Sequence, residues 1–262
     1  MFWLKVWLTQ NMGRIYLIPV RSACNADCPF CITRIERTKP AFDALPEIMP
    51  LGMLRHTLSD LPSNVTEIEI TGGGEPQLHQ GLAQIIGLLR EWRPTAKLKL
   101  YTNGFLLRDL PRVDEVNISR CHYDTAKNQE LYLGKPATDV KEALAFYRTR
   151  ADRLRLQIPL IRGYTDCEAV AREWIARFPE ADQFVFRPLF SGVELMTDKR
   201  VDFQFEHPKA KWDNIDATYC GSRPVIASSG TLFKDWDFEQ PLMDMKELER
   251  NLAEFRRPED RP

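Results

Sequence analysis

Three thiols crowd into one short stretch of this sequence, Cys24-Asn25-Ala26-Asp27-Cys28-Pro29-Phe30-Cys31. Cysteines spaced C-x3-C-x2-C can hold three irons of a cubane cluster and leave the fourth iron open to a small chelating molecule. The competing use of the same thiols is a structural zinc knot completed by a histidine such as His56. The other cysteines, Cys121, Cys167 and Cys220, are scattered. A chain of 262 residues can build a core without staples, so these six cysteines are read as metal ligands and small buried groups, not as a disulfide framework.

Further chemistry-bearing residues fall where predicted strands end. Residues 65–70 alternate with period two and run into Thr71-Gly72-Gly73-Gly74-Glu75-Pro76, where glycines let the backbone approach something closely. The same glycines also suit an ordinary strand-to-helix turn. Thr102-Asn103-Gly104 ends another strand, and its bland reading is a tight turn. A third strand ends in Ser119-Arg120-Cys121-His122-Tyr123-Asp124. Here a loop cap, an ion-paired arginine, a packed thiol and a structural histidine stand against ligand contacts. Gln157, Ile158 and Leu160 belong to a fourth strand, and Arg187, beside Pro188, could grip a carboxylate bidentately.

The elements that position these groups alternate. Two β-rich runs, residues 2–8 and 14–20, read as a hairpin whose second strand feeds the cysteine loop. Residues 32–46 read as a long loop wrapping the cluster, and residues 46–61 as a helix. Leu82, Ile85, Ile86 and Leu89 make an apolar stripe. Strands follow over 97–101 and 115–119. Asp139 with Glu142 predicts a capping box, then Val140, Ala143, Leu144 and Tyr147 a stripe; Thr165 with Glu168 predicts another box before Val170, Trp174 and Phe178. Strands over 153–161 and 183–189 complete six, interleaved with helices, which argues a parallel α/β sheet curled towards a partial (β/α)6 barrel. Ligands of such sheets bind at the carboxyl ends of the strands.

Beyond residue 190 the pattern is lost. Residues 191–262 are read as an extension of the same domain as residues 1–190. Segment 190–220, with aromatics Phe190, Phe203, Phe205, Trp212 and Tyr219 and charges Glu194, Asp198 and Arg200, is expected to close the barrel mouth together with a hairpin over 225–233. A helix through Leu248, Leu252 and Phe255 then precedes a frayed end. Lys and Arg number 36 against 37 Asp and Glu, a formal charge of -1, so the chain has no surplus for gripping nucleic acid. No membrane span is predicted, and a soluble cytoplasmic protein is expected.

The cysteine loop with aromatic Phe30 before its last thiol, the Gly73-Gly74-Glu75-Pro76 run and Thr102-Asn103-Gly104 follow the first three core strands in turn. In order and spacing they resemble the motifs of the radical S-adenosylmethionine (radical SAM) enzymes, over roughly residues 14–190. The resemblance implies one 4Fe-4S cluster on Cys24, Cys28 and Cys31, its open iron chelated by the amino and carboxylate groups of S-adenosylmethionine. It also implies a one-electron donor such as flavodoxin or ferredoxin, and a 5′-deoxyadenosyl radical that takes hydrogen from a substrate. A small molecule or nucleotide is the expected substrate, with a modified peptide or protein as the alternative. Gly73, Gly74 and Glu75 are carried over to the methionine amino group, with Gly72 leaving a register one residue earlier open. Phe30, Asn103, Ser119, Arg120, Ile158 and Arg187 are carried as further cofactor contacts, and Cys121 and His122 as catalytic candidates for hydrogen-atom return and proton donation. The cysteine-rich extension that holds a second cluster in larger relatives is lacking, so one cluster is expected.

Overall fold

The computed structural model describes residues 13–33, 40–61, 64–133, 136–190, 199–213, 224–234, 236 and 238. Its strands are β1 (Arg14–Leu17), β2 (Glu67–Ile70), β3 (Lys97–Thr102), β4 (Val113–Ser119), β5 (Ala151–Leu160), β6 (Gln183–Pro188), β7 (Ala210–Trp212), β8 (Val225–Ile226) and β9 (Leu232–Phe233). The helices are α1 (Pro40–Asp43), α2 (Leu51–Asp60), α3 (Leu82–Trp92), α4 (Thr125–Leu131), α5 (Val140–Arg148) and α6 (Glu168–Arg177). All nine strands form one sheet in the order β7-β6-β5-β4-β3-β2-β1-β8-β9. Every neighbouring pair from β7 to β8 is parallel; only β8 and β9 run antiparallel. Parallel neighbours need crossovers; helices supply them from β1 to β2, β2 to β3, β4 to β5 and β5 to β6, while β3 reaches β4 through a helix-free loop. The six interleaved strands expected from the sequence are thus β1 to β6, in an open sheet.

Alternation within the strands sorts the two faces. Ile68, Ile70, Leu98, Leu100, Val116, Ile118, Leu154, Leu156 and Phe184 are fully buried in one core with Ile85, Ile86 and Leu89 of α3 and Leu144 and Tyr147 of α5. The opposite face is polar and also buried: Glu69, Glu115, Asn117, Arg155 and Gln157 stand on β2, β4 and β5. Arg155 Nη1 donates to Glu115 Oε1 at 2.9 Å, Asn117 Nδ2 to the same oxygen at 3.0 Å, and Gln157 Nε2 to Asn117 Oδ1 at 3.1 Å. Lys99 Nζ reaches Glu67 Oε2 at 2.7 Å. Buried charges persist only when paired and hydrogen-bonded, and this ladder meets that condition.

Several local expectations are corrected. The helix expected over 46–61 starts only at Leu51, with Pro50 extended as its N-cap, and the residue before a proline is disfavoured in the helical region. Met49 N instead donates to Pro19 O at 3.0 Å, and Val20 bridges Ile48. Asp139 caps α5 as expected, accepting from Lys141 N at 2.8 Å and Glu142 N at 3.4 Å. Thr165 does not cap α6, whose N-cap is Cys167 without a side-chain bond. Thr165 is fully buried, donating to Cys121 O at 3.3 Å and accepting from Trp174 Nε1 at 3.1 Å. Helix α4 was not anticipated; seven residues are too few for a stripe, and its signal was the Asp124 cap, which accepts from Ala126 N and Lys127 N.

The region beyond β6 also differs. Ala210–Trp212, within the stretch read as patternless, adds β7 to the sheet beside β6. The terminal hairpin forms, but β8 pairs in parallel with β1, Tyr16 opposite Val225. β7 and the β8-β9 hairpin stand at opposite edges of the sheet. The strand over 2–8, Glu194, Asp198, Tyr219, Cys220 and the helix through Leu248, Leu252 and Phe255 lie outside the described residues. No described helix is long and apolar enough to cross a membrane.

Candidate active site

The cysteine loop leaves β1 and is held at its entry by one carboxylate. Glu47 Oε1 accepts from Ser22 N at 2.8 Å and from Ala23 N, while Oε2 accepts from Ser22 Oγ at 2.9 Å and from Arg21 Nη2 at 3.2 Å. Burial alone would raise its pKa; these amides, the hydroxyl and the Arg21 charge hold it below the ordinary value. Alongside runs the glycine loop that follows β2. Thr71 N donates to Leu17 O at 2.9 Å, Gly74 N to Val20 O at 3.1 Å and Glu75 N to Ala23 O at 2.9 Å. A Cβ on Gly73 would lie 1.9 Å from Arg21 O, and one on Gly74 would lie 2.2 Å from Ala23 O. The close approach that the glycines permit is thus to the backbone entering the cysteine loop.

Glu75 joins this pair of loops to the end of β3. Its carboxylate is buried, with Oε1 accepting from Thr102 Oγ1 at 2.7 Å and Gln77 N at 3.0 Å, and Oε2 accepting from Asn103 N at 2.7 Å. Burial pushes its pKa up, opposed by the same donors and by the Arg120 charge. Asn103 continues the chain of contacts: its Nδ2 donates to Asn25 Oδ1 at 2.6 Å and lies 3.7 Å from Cys24 Sγ, and its Oδ1 accepts from Phe105 N at 3.0 Å.

A cavity of about 240 Å³ opens beside the cysteines. Cys28, Phe30, Cys31, Asn103, Ser119, Arg120, Cys121 and Arg187 of the expected residues line it, together with Ile32, Tyr132, Gln157, Pro159, Pro188, Leu189 and Phe190. Arg120 is fully buried and points its guanidinium at backbone carbonyls, Ser119 O and Gly104 O at 3.2 Å and Thr138 O at 3.1 Å, over the Phe105 ring. Among the described residues no carboxylate pairs with it, and its Nε has no partner. Arg187 pairs with Asp213 at 2.8 Å and also leaves Nε without a partner. Two guanidinium groups on one cavity wall, Arg120 buried and Arg187 partly so, favour an anionic ligand group there. Cys121 donates to Tyr132 Oη at 3.3 Å, and burial pushes its thiol up to about 12.

Two expected residues lie elsewhere. His122 takes no part in the cavity wall; its Nδ1 accepts from Asp124 N at 2.9 Å and its ring lies against Tyr123, which makes it part of the turn into α4. The Ile158 side chain faces the helix layer, because strand alternation turns Gln157 and Pro159 towards the cavity. Tyr132 was missed because it closes the unanticipated α4. Thr102 and Asn25 were missed too, although the first stood in the Thr-Asn-Gly run and the second beside Cys24.

The donor set fits an iron-sulfur cluster. Cys24, Cys28 and Cys31 are free thiols on one loop, and the latter two form cavity wall. Cys24 is exposed at the edge of the same loop, where a metal ion can reach its sulfur. Among the described residues no three His, Cys, Asp or Glu groups converge on a single metal ion. A cubane does not require that convergence, since each thiolate binds its own iron. His56, the proposed fourth zinc ligand, sits on α2 with Nε2 3.8 Å from Asp60 Oδ2.

No protein-family model matches the chain. It is similar to the GTP 3',8-cyclase of Campylobacter curvus, 26% identical over 180 residues that cover 65% of this chain and 55% of that protein. The GTP 3',8-cyclase of Helicobacter pylori is 32% identical over 109 residues, 39% of this chain and 33% of that one. The chain thus spans about half the length, or less, of these curated relatives. Among solved structures, native anSMEcpe with bound AdoMet and a Cp18Cys peptide superposes with a TM-score of 0.56 at 13% identity, over 90% of this chain and 79% of that one, and so shares its fold. A three-cysteine loop, a Gly-Gly-Glu-Pro run and a Thr-Asn-Gly run are brought together at the ends of β1, β2 and β3, the arrangement in which the chain resembles the radical SAM enzymes, and its sequence is similar to these GTP 3',8-cyclases.

Proposed function

We propose that this chain is a radical SAM enzyme acting on a polar small molecule or nucleotide. When bound, one 4Fe-4S cluster with S-adenosylmethionine supplies a 5′-deoxyadenosyl radical that removes hydrogen from the substrate. The observation that carries the reading is the mutual locking of three strand ends: Glu75 binds Thr102 and Asn103, and Asn103 in turn reaches the cysteine loop. Cys24, Cys28 and Cys31 hold the cluster; Gly73 and Gly74 fix the loop beside it; Arg120 and Arg187 give the cavity wall positive charge for an anionic group; Ser119 and Gln157 offer hydrogen bonds. Phe30, Pro159, Leu189 and Phe190 exclude water from the same cavity.

The substrate class rests on the polar inner face of the sheet, where Gln157 on the cavity wall is bonded to Asn117 and so continues the ladder of Asn117, Glu115 and Arg155 into the cavity. A hydrophilic ligand with several hydrogen-bonding groups matches such a wall. Anaerobic reconstitution should yield iron and sulfide in equal amounts, and dithionite should then drive 5′-deoxyadenosine release that nucleotides or polar metabolites accelerate. Zinc without sulfide would overturn the enzyme reading, and acceleration by peptides alone would overturn the substrate class.

A further inference from the structure

We infer that Asn103 tunes the reduction potential of the cluster by donating its amide N–H to the Cys24 sulfur, an inference that rests on the cluster assignment above. The Cys24 sulfur accepts from Ala26 N at 3.4 Å and lies 3.7 Å from Asn103 Nδ2. The orientation of that amide is set by its partners. Asn103 Oδ1 accepts from Phe105 N at 3.0 Å, which only an oxygen can do, so nitrogen must face Asn25 and Cys24. Its backbone is fixed as well, because Asn103 N donates to Glu75 Oε2 at 2.7 Å. The side chain therefore has little freedom to rotate away, and an N–H aimed at a thiolate strengthens as negative charge accumulates on the sulfur.

Reduction adds that negative charge. A donor to a cluster sulfur favours the reduced form and raises the potential. The Glu75 carboxylate, one residue behind in the same chain of contacts, opposes reduction through its charge, and Asn103 stands between the two. Arg187, whose bond runs to Asp213, does not share this position. The role assigned to Asn103 is thus on the electron-accepting side of the site, distinct from holding substrate.

The test is a potentiometric titration of the reconstituted protein followed by electron paramagnetic resonance, with iron and sulfide counted for each sample. Asn103→Asp keeps the shape and the acceptor for Phe105 N but replaces the donor by a charge. The reduced-to-oxidised ratio at a fixed potential should fall about tenfold or more, which is 59 mV for a one-electron couple. Asn103→Ala should move it the same way by less. Variants with full cluster and an unchanged midpoint would overturn the inference, whereas a parent protein that binds no iron and sulfide would overturn the assignment on which it rests. Should both variants fail to load, the parent decides: heavy-nitrogen labelling of asparagine, in an Asn25→Ala background, should give hyperfine coupling to the reduced cluster, and its absence would reject the inference.

Discussion

One substitution made at two glycines should give opposite signs. Gly87 lies exposed in α3, and a Cβ there meets nothing within 4 Å, so Gly87→Ala should stabilise the protein by about 0.8–1 kcal/mol through helix propensity. At Gly73 the same methyl would stand 1.9 Å from Arg21 O and 2.7 Å from Phe42 Cζ, whereas ordinary contact begins near 3.4 Å. Arg21 O is backbone, so the glycine loop and the entry to the cysteine loop must part by the difference, about 1.5 Å. That movement breaks the bonds from Gly74 N to Val20 O and from Glu75 N to Ala23 O. Two backbone bonds are worth about 0.5–1.5 kcal/mol each and overpacking about 1–3 kcal/mol, so Gly73→Ala should cost about 2–6 kcal/mol. Urea unfolding measures both variants, with the slope checked for constancy. Iron content after anaerobic reconstitution should fall for Gly73→Ala and hold for Gly87→Ala. A Gly73→Ala protein within about 0.5 kcal/mol of the parent and fully loaded with iron would show that the two loops are not locked as described.

Serine at Cys24, Cys28 or Cys31 should each abolish cluster content by iron and sulfide analysis, whereas Cys167→Ser, at an exposed helix cap, should leave it unchanged. Arg155→Leu strands the buried Glu115 carboxylate and should cost about 3–5 kcal/mol by urea unfolding, with Glu115→Gln added in the same chain recovering most of it. Burial would raise the Glu115 pKa, but its bonds and charge contact with Arg155 hold it below 4.5; its stabilising contribution is therefore complete above that value and is lost as pH falls through the lower folded pKa. The parent should lose more stability on acidification below 4.5 than Glu115→Gln does, and parallel pH curves would refute this. Thr165→Val leaves Trp174 Nε1 and Cys121 O without that partner and should cost about 1–3 kcal/mol, more than the roughly 1 kcal/mol expected for loss of the Asp139 cap in Asp139→Ala.

The sheet was legible where alternation was long and helices carried full stripes, as at Lys97–Thr102, Leu82–Trp92 and Val140–Arg148. It was illegible where elements were too short to show a period, as at Ala210–Trp212 and Thr125–Leu131. The Thr165 reading failed because a Thr-x-x-Glu pattern does not say whether the threonine is exposed, and here it is buried under Trp174. At the site, motif residues marked the right strand ends, but which of them touch was not written in their spacing. Glu75 and Asn103 meet only because β2 and β3 are neighbours in register, Ile70 beside Leu100. His122 and Ile158 show the converse: beside cavity-lining Cys121 and Gln157 in sequence, His122 turns into the bend that leads to α4, and strand alternation turns Ile158 to the helix side of the sheet.

The pairing of β8 with β1 bears on how the molecule is made. Tyr16 and Leu17 lie opposite Val225 and Ile226, so the strand that feeds the cysteine loop gains its second neighbour only when a segment near the other end of the sequence has emerged. Contacts of such long sequence separation form slowly compared with the local strand-helix pairs between β2 and β6. On the ribosome, β1 through β6 can assemble while one side of β1 still shows bare backbone donors and acceptors, a state open to mispairing. Thr57 Oγ1, which donates to Gly230 O at 2.5 Å, then ties the arriving hairpin to α2. Iron delivery during synthesis would meet a loop whose root is held on one side alone, and delivery after release would meet the finished strand. Chains cut before residue 224 should therefore collect in aggregates instead of accumulating as soluble apoprotein.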